Sequence, residues 1–218
     1  MQERLITIKR KIPSSWKRQK TRLLVLAGRR KTGKDVLLSY VMRNYPGFRH
    51  YRIAEAPTLI ARILGLASDR RVLHALFGVN KILYPILKES AYKRRVARLL
   101  DGEKPKLAIV EAARTKEEYE EFVRNRKGIL VGITANDSIR YERALADAKK
   151  ISEKRDEGKM SFNEFMKKEY SLIEREIDWI VRRAHFVLDN SQNKKAPFYR
   201  AIDEAMKRLG FRKKVRQL

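Results

Sequence analysis

Leu23-Leu24-Val25-Leu26-Ala27-Gly28-Arg29-Arg30-Lys31-Thr32-Gly33-Lys34-Asp35 is the stretch on which the reading of this chain turns. Five apolar residues in succession, closed by a glycine, read as a buried strand. The next eight match G-x-x-x-x-G-K-[ST] except at the last position, where Asp35 stands for Ser or Thr. Glycines let such a loop wrap around phosphate oxygens. Its N–H groups turn inward at a helix start, and its lysine reaches the terminal phosphates. The apolar stretch Val36–Met42 supplies that helix. Gly28, Arg29, Arg30, Lys31, Thr32, Gly33, Lys34 and Asp35 are therefore expected to bind phosphate. The plainer alternative is a Gly-rich turn before a helix.

Asp35 departs from the pattern. A hydroxyl normally meets Mg²⁺ there, and a carboxylate also ligates Mg²⁺, directly or through water. It adds negative charge near the phosphates, which Arg29, Arg30 and Lys31 are expected to offset. Alternatively Asp35 only starts the helix, favoured by the dipole. Nucleotide binding then survives while catalysis is weak.

Outward from this loop, strand-like and helix-like segments alternate. Tyr51–Ala54, Leu107–Val110, Gly128–Thr134 and Phe186–Leu188 read as further strands. Between them, residues 58–100 are helical in pattern, with turn signals at Gly65, Ser68-Asp69 and Gly78. Thr115-x-x-Glu118 and Ser161-x-x-Glu164 have capping-box spacing and open helices to about Asn125 and Arg183. A charged helix starts near Ser138 and breaks near Asp156-Glu157-Gly158, and a last helix covers 197–209. Unbroken apolar strands alternating with helices predict an α/β fold. The expected form is a three-layer, doubly wound parallel sheet of five strands, with a helical lid over 138–160. Sites in such sheets lie beyond the carboxyl ends of the strands.

The chain has 218 residues and a net charge of +26. It has no run of about 18 uncharged apolar residues, so no membrane span is expected. Its first 20 residues lack the apolar core of a secretory signal. Without Cys, disulfides and thiol catalysis are excluded. His50, His74 and His185 are too scattered to suggest a histidine metal site. A cytoplasmic location follows by elimination. Abundant Lys, Arg and Glu with few Gln would suit a thermophile.

The charge is uneven. Residues 1–22 carry eight Lys or Arg against one acid, and residues 194–218 carry nine against two, which together exceed half of the net charge. Residues 1–20 are expected as a basic arm, 21–210 as the domain and 211–218 as a basic tail. Such ends contact phosphate backbones of RNA or a ribosome, or else serve solubility and surface ion pairing. Trp16 and Tyr45, though near basic residues, read as core rather than as stacking platforms.

The phosphate loop resembles that of P-loop nucleoside monophosphate kinase-like proteins. Its G-x-x-x-x-G-K-D form is similar to that of animal-type phosphomevalonate kinases and phage deoxynucleoside monophosphate kinases. Ile109-Val110-Glu111-Ala112-Ala113-Arg114 resembles the strand-acid-x-x-Arg segment of archaeal dephospho-CoA-kinase-like and adenylate-kinase-like proteins. Thr134-Ala135-Asn136-Asp137-Ser138-Ile139-Arg140-Tyr141-Glu142-Arg143 resembles their strand followed by R-x-x-R. Ala184-His185-Phe186-Val187-Leu188-Asp189-Asn190 resembles their final strand. The likeness runs in order over about residues 21–210, and only the phosphate loop is specific alone.

The resemblance implies transfer of the γ-phosphoryl group of ATP to a small phosphorylated acceptor, with Mg²⁺ as cofactor. Lys34 and the backbone of 28–35 would hold the donor. Asp35 and Glu111 would serve Mg²⁺, or Glu111 would orient the acceptor. Arg114 would bind the acceptor phosphate, in the region that also carries Glu55 and Arg62. Arg140 and Arg143, with Lys154 or Arg155, would close on the phosphoryl group, and Asn190 would contact the base. Each has a plainer alternative: Glu111 is a polar strand-end residue, Arg114 a partner for Glu117 or Glu118, Arg140 and Arg143 an ion-paired helix face, and Asn190 a turn residue. His185 reads as packed rather than catalytic. An RNA-associated protein built on the same fold competes with the enzyme, carried by the charge, the basic ends and Asp35.

Overall fold

The computed structural model describes residues 5–53, 55–66, 72, 75–76, 90–111, 113–150, 160–169, 172–192 and 194–214. Its central strand is β2 (Arg22–Ala27), in which Leu23 to Ala27 are all buried. A strand apolar on both faces needs cover on both faces. Leu24 and Leu26 pack on one side of the sheet, and Leu23, Val25 and Ala27 on the other. β2 pairs in parallel with β4 (Leu107–Glu111) and β5 (Ile129–Thr134). Beyond them lie β3 (Phe48–Arg52) and β6 (Phe186–Asp189), also parallel. These five strands are the doubly wound sheet expected. A sixth, β1 (Ile6–Ile8), adds antiparallel to β6, giving the order β1-β6-β5-β2-β4-β3.

On one face lie α1 (Lys34–Asn44) and α8 (Lys195–Arg208). The other face is covered by α2 (Glu55–Ile63), α3 (Ala91–Glu103), α4 (Lys116–Tyr119, continued by a π turn to Asn125) and α7 (Leu172–Arg182). α5 (Asp137–Lys150) and α6 (Phe162–Glu169) share a small core of Ala144, Met160 and Phe165. Both capping boxes form. Glu118 N–H donates to Thr115 Oγ1 at 3.2 Å, and Ser161 N–H donates to Glu164 Oε2 at 2.7 Å. The chain leaves β2 toward the α1 face and β4 toward the opposite face. The adjacent strands thus open a crevice at their carboxyl ends.

Three expectations change. The second strand starts at Phe48, not Tyr51: paired on one side only, it carries exposed Arg49 and Arg52 beside buried Phe48 and Tyr51 and so is no apolar run. The N-terminal segment is not a free arm: Trp16 is 0% exposed within the core, and Lys9 N–H donates to the His185 carbonyl at 2.9 Å. The C-terminal segment is docked as well. Phe211 meets Phe48 edge-on with centroids 5.1 Å apart, and Lys214 N–H donates to the Asn44 carbonyl at 2.8 Å. His74, the 68–69 and 78 turn signals, the 156–158 break, Lys154 and Arg155 lie outside the described residues.

Candidate active site

The phosphate loop is shaped by what its carbonyls do. Lys31 and Gly33 take left-handed backbone, φ 63° and 104°, with Thr32 between them. The carbonyl oxygens of residues 28–32 all accept side-chain hydrogen bonds. Lys34 Nζ donates to Gly28 at 2.6 Å and Arg29 at 2.8 Å, and Thr32 Oγ1 also donates to Arg29. Arg140 Nε donates to Arg30 at 2.9 Å, Arg143 to Lys31 at 3.0 Å, and Asn190 Nδ2 to Thr32 at 2.8 Å. Among the described residues, no acceptor takes the N–H groups of Lys31, Thr32 or Gly33. With its carbonyls bonded and these N–H groups spare, the backbone is an anion nest at the start of α1.

Both glycines are required. A Cβ on Gly28 would lie 2.4 Å from the Ile133 carbonyl oxygen, and one on Gly33 would lie 2.3 Å from Asn190 Nδ2. The loop fits a polyphosphate on these grounds. Its basic side chains, in contrast, are engaged elsewhere. Arg29 grips Asp178 through Nε and Nη2 at 2.9 and 2.6 Å, Lys31 pairs with Asp147, and Arg30 lies 4.0 Å from Glu169. The expectation that Arg29, Arg30 and Lys31 offset Asp35 is therefore corrected: their charge is met by acids of α5, α6 and α7. The Arg29 hydrogen bonds hold the Asp178 carboxyl below its usual range.

Arg140 and Arg143 sit one turn apart on α5, so they share a face. Arg140 is 1% exposed and pairs with the wholly buried Glu169 and with Asp137. Arg143 bonds the carbonyls of both Lys31 and Asn190. The structure places this pair behind the loop rather than in front of it. Asn190 likewise spends its amide on the Thr32 carbonyl instead of reaching out toward a base.

Across the crevice, Glu111 ends β4 and is nearly buried. His50 Nε2 lies 2.8 Å from its Oε2, and Arg52 Nε donates to the same oxygen at 2.9 Å. Burial alone would raise the Glu111 pKa; the bonds from His50 and Arg52 overcome it and hold it down to about 2. Arg52 Nη2 is also 3.8 Å from Asp35 Oδ1, so one guanidinium bridges the two carboxylates. Asp35 is exposed in the first turn of α1, where the dipole favours it. Beside this group a cleft of ≈ 510 Å³ runs along β3 and α3, lined by His50, Arg52, Glu55 and Arg95. Glu55 pairs with Arg95 at 3.1 Å. Arg62 is exposed on the last turn of α2 and does not line the cleft. Arg114 follows β4, and its backbone N–H donates to the buried Glu118 at 2.6 Å.

His50 and Arg52 escaped the sequence reading, as did the acids Glu169 and Asp178. The two-residue spacing of the first two, which puts them on one face of a strand, was the available signal for them. Nothing local marks the acids, which lie more than 100 residues from the loop they serve.

No family model and no curated protein matches the sequence. Solved structures do match its fold. A shikimate kinase from Bacteroides thetaiotaomicron superposes with a TM-score of 0.53 at 12% identity, over 87% of this chain and 98% of that one. TT1252 from Thermus thermophilus gives 0.55 at 16% identity, over 87% and 97%. The chain shares its fold with these two structures. At such identities the likeness concerns architecture, and chemistry has to be argued from the site. No helix among the described residues is long and apolar enough to cross a membrane.

Proposed function

We propose that the protein is a P-loop kinase, transferring the γ-phosphoryl group of ATP to a small phosphorylated acceptor, a nucleotide or a coenzyme precursor. The observation that carries the reading is the nest at residues 28–35, closed behind by Arg140, Arg143 and Asn190 and fronted by Lys34. ATP supplies the phosphoryl group and Mg²⁺ neutralises its charge, leaving the protein to position and to stabilise. In this reading Lys34 leaves its carbonyls for the terminal phosphates. Asp35 and Glu111 are the donors for Mg²⁺, which needs only one or two carboxylates beside phosphate oxygens. Glu111 stays ionised throughout the neutral range, as a ligand or acceptor-orienting carboxylate must.

The acceptor side is the cleft along β3. Arg52 and Arg95 line it, Glu55 stands between, and Arg114, just after β4, is assigned to the acceptor phosphate. Arg140 and Arg143 act here as positioning residues, since their nitrogens hold loop carbonyls. The nearer family, with dephospho-CoA-kinase-like or adenylate-kinase-like acceptors, rests on the segments around Glu111, Arg140 and Asn190.

The test is titration calorimetry of MgATP with the wild type and Lys34→Ala. Binding lost in the variant supports the assignment, and equal affinity sinks it. Turnover is then screened against nucleoside monophosphates and dephospho-CoA. Wild-type binding of ATP with no phosphorylated acceptor consumed would leave a nucleotide-binding protein and refute the kinase.

A further inference from the structure

We infer that the end of the molecule opposite the phosphate loop is a docking face for the phosphate backbone of a nucleic acid. The inference does not rest on the kinase reading. It starts from where the fold gathers the excess charge. The amino-terminal ends of β5, β2 and β4 lie side by side, since these strands are neighbours and parallel. Each is entered through a basic residue: Lys127 two residues before β5, Lys20 two before β2, and Lys106 immediately before β4. Adjacent strands are about 5 Å apart, so these entries form a short row.

Both ends of the chain complete it. Gln19 Nε2 donates to the Lys127 carbonyl at 3.2 Å, tying the entry of β2 to the entry of β5. Arg22 N–H donates to the Lys106 carbonyl at 2.9 Å, and its guanidinium lies 4.6 Å from the centre of the Phe211 ring. A Cβ on Gly210 would come within 3.2 Å of Lys17 Cε. The two basic termini, 190 residues apart in sequence, thus meet on one face and are held there by the core.

The contrast with the other end is electrostatic. Around the phosphate loop the cations have acids: Arg29 has Asp178, Lys31 has Asp147, Arg52 has Glu111, and Arg140 has Glu169. Lys17, Lys20, Lys104, Lys106, Lys127 and Arg212 are all exposed, and among the described residues none forms an ion pair. The acids of this region are already taken: Glu103 by Arg49, Asp101 by Arg126, and Asp203 by Lys213. A row of unneutralised cations is costly to the fold through self-repulsion and is relieved by an external polyanion. None of the exposed large apolar side chains falls in 16–22, 104–106, 127 or 210–214, which favours a phosphate backbone over a lipid surface that takes inserted apolar groups. The same absence of exposed aromatics argues for backbone contact without base stacking, and so for weak sequence preference.

The experiment measures binding of the full chain to a 20-nucleotide RNA, a DNA duplex of equal length, and phosphatidylserine–phosphatidylcholine vesicles, from about 50 to 300 mM salt. The test variant is Lys20→Glu/Lys106→Glu/Arg212→Glu. The control, Arg62→Glu/Lys167→Glu/Lys195→Glu, has the same net charge with the reversals elsewhere. Matching thermal unfolding of both variants and the wild type establishes that the fold is kept. We expect the wild type to bind RNA, DNA or both. We expect the test variant to lose at least tenfold at 100 mM and the salt slope to fall by about 2–3, at 0.7–0.9 per phosphate contact. RNA against duplex then tells which polymer is preferred. Equal losses in test and control variants would overturn the face, reducing the effect to net charge. Binding to vesicles alone would overturn the nucleic acid.

Discussion

Arg140 Nε donates to the carbonyl oxygen of Arg30 at 2.9 Å, from a side chain only 1% exposed. The remaining guanidinium nitrogens reach Glu169 and Asp137, and the ring of Phe165 lies 5.5 Å from its carbon. The phosphate loop is thus fastened to a buried ion pair supplied by α5 and α6.

Truncating Arg140→Ala removes the bonded partner of the wholly buried Glu169 and leaves it only Arg30, 4.0 Å away. The expected loss of stability is about 3–5 kcal/mol. Replacing both partners, Arg140→Met with Glu169→Leu, is expected to restore stability to within about 1 kcal/mol. ATP affinity stays weakened about tenfold, because the Arg30 carbonyl has lost its brace. Urea unfolding and calorimetry on the same samples separate the two effects. A double variant that binds ATP as the wild type does would show that the brace has no part in binding.

Gly33→Ala places a methyl group 2.3 Å from Asn190 Nδ2 on backbone with φ 104°. Strain of this kind costs about 1–3 kcal/mol, roughly 2–12 °C in Tm for a chain of this length. ATP binding is expected to vanish with it. Adding Asn190→Ala removes the clash and recovers part of the Tm, while the Thr32 carbonyl loses its donor and affinity does not return. Scanning calorimetry with and without nucleotide checks both; Gly33→Ala melting with the wild type would contradict the loop geometry.

Acid stability should fall in two stages. Burial, with the charge of Arg10, lowers the His185 pKa to about 4, below the usual 6.5. Between those values the unfolded chain binds a proton that the folded one refuses. Stability is therefore lost as pH falls from about 6.5 to about 4, by roughly 3 kcal/mol in all. Glu111, held at about 2, contributes stability that is complete above about 4.3 and lost as pH falls through 2. His185→Phe is expected to flatten the first window and Glu111→Gln the second, each at a constant cost from its lost hydrogen bonds. Unfolding free energies measured from pH 7 to pH 2 decide it, and an unaltered slope in either variant rules out its assignment.

The parts legible in the sequence were those with local causes. Leu23–Ala27 had to be buried on both faces, and the glycines had to open a loop before a helix. Thr115 and Ser161 announced their capping boxes at three-residue spacing. Trp16 read as core because its spacing from Tyr45 is too irregular for a stacking platform, and it is buried. Illegible were β1, a three-residue edge strand whose pairing with β6 spans most of the chain, and the start of β3, whose polar residues follow from having a partner on one side only.

The candidate site divides in the same way. Residues 28–35 were readable because the nest is made by consecutive backbone, and consecutive residues carry their conformation in their own chemistry. Whether a given arginine faces a phosphate, a carbonyl or an acid is decided by what folding brings against it. Only the tertiary structure could put Arg140 behind the loop, Arg52 between Asp35 and Glu111, and Lys20, Lys106 and Lys127 in one row. Sequence spacing determines which side chains share an element's face; the packing of distant elements determines what that face meets.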